Sequence, residues 1–334
     1  MNIKDLDGFS FELVNATLLM EDYIKNTADH FEGLIGCDAV KIISSGGKRL
    51  RPVLLIISYL GNCHDVQFCF PACAAVEFFH SATLVHDDII DGSIERRGKQ
   101  TFNYIKGDRY ALLIGDYLFA SCFKELASYS ESNLIRILSN VGIYSCLGEF
   151  LQQKQLRTMI NTEEYFLRIK NKTGYLFSAA CYIGAKLAKK TDLEVEKYSN
   201  FGMKMGQAYQ IYDDSLDIIG GEAVLGKPPG NDIREGIVTL PVLIALEILN
   251  GDRRSSEMIK RIITVKNGSQ ADFDAAIEIL KSSGAVDKAI DYADDLAEEA
   301  VDDLKQVAGT KQVGDAKALW SLIRQRIKLQ TDDK

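Results

Sequence analysis

Positive charge, histidine, proline and patterned cysteine are what this 334-residue chain has little of, and each shortage narrows the classes of function open to it. Lysine and arginine number 39 against 47 aspartates and glutamates, a net charge of −8. That balance argues against a nucleic-acid partner, which would want a basic surface. The four histidines include no pair at metal-ligand spacing, so no zinc site is expected. Seven cysteines (Cys37, Cys63, Cys69, Cys73, Cys122, Cys146, Cys181) occur without Cys-x-x-Cys spacing. An odd, unpatterned set predicts reduced thiols and a cytoplasmic protein. No uninterrupted apolar run approaches the length of a bilayer span; VLLIISYL after Arg51 is too short, and no transmembrane segment is expected. The start, MNIKDLDGFSFELVN, is acidic and lacks the basic and apolar regions of a signal peptide.

Only five prolines occur, and none lies between Ala72 and Lys227. Proline breaks helix interiors, so this interval is permissive for long helices. The apolar pattern agrees. AVEFFHSATLVHDDII, LLIGDYLFASCFKELASY, NLIRILSNVGIYSCLGEFLQQKQLR and EVEKYSNFGMKMGQAYQIYDDSLDII repeat apolar residues at three- and four-residue steps, and strand-like alternation is not evident. Loops are short and marked by Gly, Asn or Pro, and no linker or composition break interrupts the chain. The pattern predicts one all-α domain over residues 1–334, a helical bundle around a central apolar cavity.

Two acidic motifs of the form Asp-Asp-x-x-Asp stand far apart: Asp87, Asp88, Asp91 and Asp213, Asp214, Asp217. Both lie in apolar stretches, where a carboxylate is costly without a partner. On a helix, i and i+4 share a face, so Asp87 projects with Asp91 and Asp213 with Asp217. Two such clusters facing each other would form a cage of hard oxygen ligands suited to Mg²⁺, which is usually held by one or two carboxylates plus substrate phosphates. Either motif alone could instead be a solvated helix face, as DYADDLAEEAVDDL near the C-terminus reads.

Cations accompany the acids. Gly46-Gly47 is followed by Lys48, Arg49 and Arg51, a cluster able to grip a diphosphate or else to serve as a solvated helix start. Arg96 and Arg97 follow the first acidic motif across the turn Gly92-Ser93, close to the carboxylates; the alternative is a surface pair that neutralises Glu95. His80 lies two helical turns before Asp87 on the same face, either as a donor to a diphosphate oxygen or as a satisfied core residue.

GGKRLRP, LVHDDIIDGSIERRG, GDYLFA, NKTGYLF, YQIYDDSLD and GKPPGNDIREGIVTLP occur in the order and approximate spacing of the trans-isoprenyl diphosphate synthases, the polyprenyl synthetase family. The chain resembles that family from about Gly46 to Pro241, and most resembles its long-chain octaprenyl- and heptaprenyl-type members. The resemblance implies an isoprenoid synthase-type helical bundle that condenses isopentenyl diphosphate head-to-tail onto an allylic diphosphate, farnesyl or geranylgeranyl diphosphate. It implies a Mg²⁺ cluster, three ions per site, on Asp87, Asp88, Asp91, Asp213, Asp214 and Asp217. Lys48, Arg51 and His80, with Arg97 assisting, match the groups on isopentenyl diphosphate. Arg96, Lys172 and Lys227 match the cations on the allylic diphosphate. Gln210 matches the glutamine one turn before the second motif, Thr173 the threonine that steadies the reacting carbons, and Asp232 the aspartate after the Lys-Pro loop. Family habit adds a homodimer.

There are departures. Ile237 stands where many members carry a lysine, and the first motif lacks the two-residue insertion of one geranylgeranyl-forming subclass. Short-chain relatives place bulky aromatics four and five residues before the first motif; here the residues are Thr83 and Ala82. Small side chains there predict an open channel and a long-chain product, with Phe79, Ile137, Leu138 or Tyr144 as candidates for its floor. The alternatives are a geranylgeranyl diphosphate synthase and a non-catalytic subunit of a two-component synthase. A terpene cyclase is disfavoured, because GGKRLRP is present and the second motif is aspartate-rich.

Overall fold

The computed structural model describes residues 8–31, 33–44, 47–61, 65–96, 98–131, 133–220, 229–266 and 268–331. Arg97 and Lys227 lie outside them. Among the described residues the regular structure is helical except for one hairpin. In chain order the helices are α1 (Phe11–Asp29), α2 (Gly33–Ser44), α3 (Leu50–Tyr59), α4 (Phe70–Ile90), α5 (Phe102–Lys106), α6 (Asp108–Leu126), α7 (Asn133–Gln155) and α8 (Thr162–Ile169). They continue as α9 (Tyr175–Leu187), α10 (Asp192–Ile219), α11 (Asn231–Glu235), α12 (Leu240–Ile248), α13 (Arg253–Thr264), α14 (Gln270–Ser282), α15 (Ala285–Lys305) and α16 (Thr310–Thr331). The hairpin pairs β1 (Glu95–Arg96) antiparallel with β2 (Lys99–Gln100), Glu95 opposite Gln100. Strands of two residues carry no detectable alternation, so the sequence does not announce them.

Proline placement explains several helix starts. Pro52, Pro71 and Pro241 sit in the first turns of α3, α4 and α12, where the missing N–H costs nothing. Asn161 and Glu164 close a reciprocal capping box on α8.

The chain divides into two compact units, each assembled from three separate stretches. The first is Met1–Asn140, Leu176–Gly202 and Asp303–Leu322. Its core is α3 and α4: Val53 to Tyr59 and Ala72 to Phe79 are all buried. Each large apolar side chain so buried contributes roughly 1.5–3 kcal/mol. Helix α4 lies along α6. The Phe79 and Phe119 rings meet edge to face at 5.0 Å, and His86 lies so close over Gly115 that a Cβ there would stand 2.1 Å from its Nε2. Ser10 donates to Asp315 through its N–H (2.6 Å) and its hydroxyl (2.8 Å), tying the start of α1 to α16.

The second unit is Val141–Tyr175, Met203–Asp302 and Ile323–Lys334. It contains α8, the larger part of α7 and the last half of α10. Between α8 and α9 the chain makes one π-helical turn, Lys170–Gly174. Such wide single turns inside helices occur frequently at functional sites.

The expectation about membrane spans counted uninterrupted apolar runs. Over whole helices, two are long and apolar enough to cross a bilayer by length and composition: Val66–Ile90, 72% buried over its most apolar window, and Asn133–Gln155, 22% buried. The first is a core helix of its unit and carries the first acidic motif. The second presents Ile143, Leu147 and Phe150 to solvent along one face.

Candidate active site

The first unit holds the basic turn and the first acidic motif. Asp87 and Asp88 end α4; Asp91 caps it with helical dihedrals (φ −82°, ψ −9°), so the i, i+4 relation between Asp87 and Asp91 survives the helix end. Asp88 is buried, and Arg96 Nε donates to its Oδ1 at 2.7 Å. Burial raises the Asp88 carboxyl above its usual value even against that neighbouring guanidinium. The loop beyond the motif is drawn back on itself: Ser93 N–H donates to Asp88 O at 2.9 Å, and Asn103 Nδ2 donates to the carbonyls of Asp88 (3.1 Å) and Ser93 (3.0 Å). Arg96 therefore stands at the first acidic motif.

His80 is half-buried on α4, and its carbonyl accepts a 2.8 Å bond from the Thr83 hydroxyl. Ala82 and Phe79 are buried, on the side of α4 whose neighbours Phe79 and His86 face α6. Thr83 is half-buried. In the basic turn, Lys48 Nζ donates to Leu322 O at 2.7 Å, and the Arg51 guanidinium lies 4.7 Å over the Phe177 ring. Arg49 points elsewhere, into the core.

The second unit holds the second acidic motif and the π-helical turn. Asp214 is 6% exposed and Asp217 5%; Asp213 is half-buried. A chain of hydrogen bonds runs through this cluster. Thr173 Oγ1 donates to Gln210 Oε1 (2.7 Å), Gln210 Nε2 to Asp214 Oδ1 (2.7 Å), and the Tyr165 hydroxyl to Asp214 Oδ2 (2.7 Å). Burial pushes the Asp214 carboxyl up to about 6, although these donors favour its charged form. Asp217 receives the returning chain: Gly230 N–H donates to its carbonyl at 2.7 Å, and Asp232 N–H to its Oδ2 at 3.0 Å. Among the described residues, no three His, Cys, Asp or Glu side chains converge as a ready-made metal cage.

Residues 37–280 match the polyprenyl synthetase family. The chain belongs to that family. As a polyprenyl synthetase it is a prenyltransferase acting on isoprenyl diphosphate substrates, and the family is dependent on divalent metal ions. It is similar to the short chain isoprenyl diphosphate synthase of Methanocaldococcus jannaschii, 37% identical over 246 residues, 72% of this chain and 75% of that one. It is similar to heptaprenyl diphosphate synthase component 2 of Geobacillus stearothermophilus, 32% identical over 304 residues, 90% of this chain and 92% of that one. Its fold matches the polyprenyl synthase from Caulobacter crescentus complexed with calcium and isoprenyl diphosphate: TM-score 0.86, 32% identity, covering 93% of this chain and 96% of that one. The fold is thus the all-α isoprenoid synthase bundle.

Several residues of this polyprenyl synthetase escape a motif search. Lys172 Nζ donates to Glu149 Oε2 (2.8 Å) and to Gln152 Oε1 (3.1 Å), both on α7. Burial works against the Glu149 charge, but Lys172 outweighs it and holds the carboxyl below its usual value. A Cβ on Gly148 would stand 2.6 Å from Lys172 N, so only glycine lets α7 and the π-helical turn approach this closely. The signal was available as Gly148-Glu149-x-x-Gln152, with its polar pair one helical turn apart. Tyr165 gave no signal beyond an aromatic on an amphipathic face. Ile237 is 8% exposed, and its N–H donates to Asp232 O at 2.7 Å. Nearby Arg234 is engaged by Gln270 (3.0 Å) and by the Phe273 ring (4.9 Å).

Proposed function

We propose that the chain is a Mg²⁺-dependent long-chain all-trans polyprenyl diphosphate synthase, extending farnesyl or geranylgeranyl diphosphate with isopentenyl diphosphate. The observation that carries this reading is the state of the acidic motifs. Asp88 and Asp214 are buried carboxyls raised by desolvation, and a bound cation would remove that cost. The donor set fits Mg²⁺: hard carboxylate oxygens, too few for a protein-only cage and suited to an ion completed by substrate phosphates. Asp87, Asp88, Asp91, Asp213, Asp214 and Asp217 would hold it. When bound, Mg²⁺ supplies Lewis-acid neutralisation of the diphosphate leaving group.

The remaining roles belong to the chain's own side chains. Lys48, Arg51 and His80, with Arg97, bind the diphosphate of isopentenyl diphosphate. Arg96, Lys172 and Lys227 bind the allylic diphosphate, Lys172 exchanging Glu149 for a phosphate oxygen. Thr173, steadied by Gln210, keeps the reacting carbons in place. The C–O bond of the allylic substrate breaks, and the double bond of isopentenyl diphosphate attacks the allylic carbocation to form the new C–C bond. The departed diphosphate takes the proton then lost. Holding both substrates supplies much of the acceleration. Exclusion of water by the Lys227–Asp232 stretch, part of which lies outside the described residues, is tested by Lys227→Ala: unchanged turnover would refute that part.

Thr83, small and half-buried on the His80 and Asp87 face, supports an open channel and a long product, as does the similarity to a heptaprenyl synthase component; Ala82 is fully buried on the other side of α4. The similarity to the geranylgeranyl diphosphate synthase of Saccharolobus solfataricus favours a geranylgeranyl product as the second reading. A single domain over 1–334 is supported by the interleaving of the two units, neither of which is a continuous segment. The exposed row Ile143, Leu147, Phe150 on α7 supports a homodimer, and the free thiols Cys37, Cys69, Cys73, Cys122, Cys146 and Cys181 support a cytoplasmic setting. The test is Asp87→Asn and Asp213→Asn, each expected to lower Mg²⁺-dependent turnover on the order of 100-fold or more. Full activity in either variant would rule that motif out.

A further inference from the structure

Three cations follow Gly47 in close succession, and the structure separates them. Arg49 is turned inward, its side chain 2% exposed. Its Nε and Nη2 donate to the two oxygens of Glu21 on α1 (3.0 and 3.2 Å), its Nη1 donates to Glu77 Oε1 on α4 (2.5 Å), and Nη2 also donates to Ile43 O in the last turn of α2 (2.6 Å). One guanidinium thus joins three helices at the start of a fourth, since Arg49 is the residue that caps α3. It does so in the left-handed region, φ 48° and ψ 35°. That conformation is unfavourable for a non-glycine residue, and such outliers persist where the surroundings over-determine them.

The bonds of Arg49 fix more than its own place. Its neighbours in the chain are Lys48 and, two residues on, Arg51, while its partner Glu77 is one helical turn before His80 on α4. The Arg49–Glu77 pair therefore sets the distance between the basic turn and His80, all within one unit. Buried ion pairs are weak sources of stability, because desolvation consumes most of the attraction. Their best-attested use is to fix one arrangement among several.

We infer that Arg49, held by Glu21 and Glu77, is a positioning residue: it aligns Lys48 and Arg51 with His80 so that the three bind one diphosphate, that of isopentenyl diphosphate. This rests on the roles assigned above to Lys48, Arg51 and His80. Arg49 itself does not touch the substrate. Lysine cannot replace it, since a single ammonium cannot reproduce the fork on Glu21 together with the bonds to Glu77 and Ile43 O.

The test is steady-state kinetics of Glu77→Gln and Arg49→Lys, with farnesyl diphosphate and isopentenyl diphosphate varied separately and the fold checked by circular dichroism and thermal unfolding. The expected result is a KM for isopentenyl diphosphate raised about 10-fold, of the size a small misplacement of binding groups produces, with the KM for farnesyl diphosphate unchanged. Glu77→Gln conserves shape and gives the answer should Arg49→Lys not fold. A lowered unfolding temperature with both KM values unchanged would make Arg49 merely structural and overturn the inference. Arg51→Gln in the same assay separates the two layers. If it raises the KM for isopentenyl diphosphate while Glu77→Gln does not, positioning fails; if Arg51→Gln has no effect, the reading of the basic turn fails and the inference falls with it.

Discussion

The Tyr165 hydroxyl donates to Asp214 Oδ2 at 2.7 Å, and Tyr165 has no exposed surface. With Gln210 on the other oxygen, Asp214 has each oxygen held by a donor before any ligand arrives. Tyr165→Phe removes one donor while keeping the ring. A buried hydrogen bond to a charged group is worth about 1.5–3 kcal/mol, so the variant is expected to unfold at lower temperature. The Asp214 carboxyl should also ionise less readily. The Mg²⁺ concentration for half-maximal activity is therefore expected to rise, by roughly 3- to 10-fold. A metal requirement identical to that of the parent would show that Tyr165 does not support the acidic motif.

Thr83 and Ala82 adjoin in sequence but lie on different sides of α4. Thr83 shares the His80 and Asp87 face and is half-buried; Ala82 lies between Phe79 and His86, and is fully buried. Thr83→Phe is expected to shorten the product without loss of fold. Ala82→Phe must also overpack that side, at a cost of about 1–3 kcal/mol, so its product analysis needs a parallel unfolding measurement. Chromatography of dephosphorylated products decides the first case: an unshortened product from folded Thr83→Phe would rule out a channel along this face.

Gly148 faces the backbone of Lys172. In Gly148→Ala the new Cβ meets backbone, which cannot rotate away, so the π-helical turn must shift. Overpacking of this kind costs about 1–3 kcal/mol. The expected outcome is lower stability together with a raised KM for the allylic diphosphate, through displacement of Lys172 and Thr173. A stability loss alone would mean that the turn moves without affecting the site.

How much of this was legible in the sequence depends on what kind of fact each residue carries. The acidic motifs, the helices and the nearness of Arg96 to the first motif followed from residue type and spacing, because carboxylates in apolar flanks and periodic apolar residues are local signals. Direction was not legible. Lys48, Arg49 and Arg51 look alike in GGKRLRP, and only the folded structure shows that Arg49 turns inward between two glutamates. Likewise the partner of Lys172 lies 23 residues away on α7, and Tyr165 reaches Asp214 across 49 residues. Such contacts arise from packing, which periodicity alone does not specify.

Asp38 ties α2 to the helices that follow the first acidic motif. Lys41 donates to its Oδ1 at 2.7 Å, while Lys106 and Tyr110 donate to its Oδ2. Lys106 first, then Lys41, hold the carboxyl well below the usual aspartate range. A depressed folded value means that the contribution to stability is complete above the unfolded value of about 3.9 and is lost as pH falls below it. Urea midpoints at pH 7 and pH 3 should therefore differ less in Asp38→Asn than in the parent. An equal difference in both proteins would contradict this assignment.

The central claim is elongation past the short-chain stage, and product analysis tests it most directly. The protein is incubated with farnesyl diphosphate, labelled isopentenyl diphosphate and Mg²⁺, and the dephosphorylated products are separated by chromatography. A ladder ending well beyond geranylgeranyl is the expected result. A single product at geranylgeranyl would contradict the long-chain assignment while keeping the family, and the absence of any elongation would contradict the proposed activity of this chain acting alone.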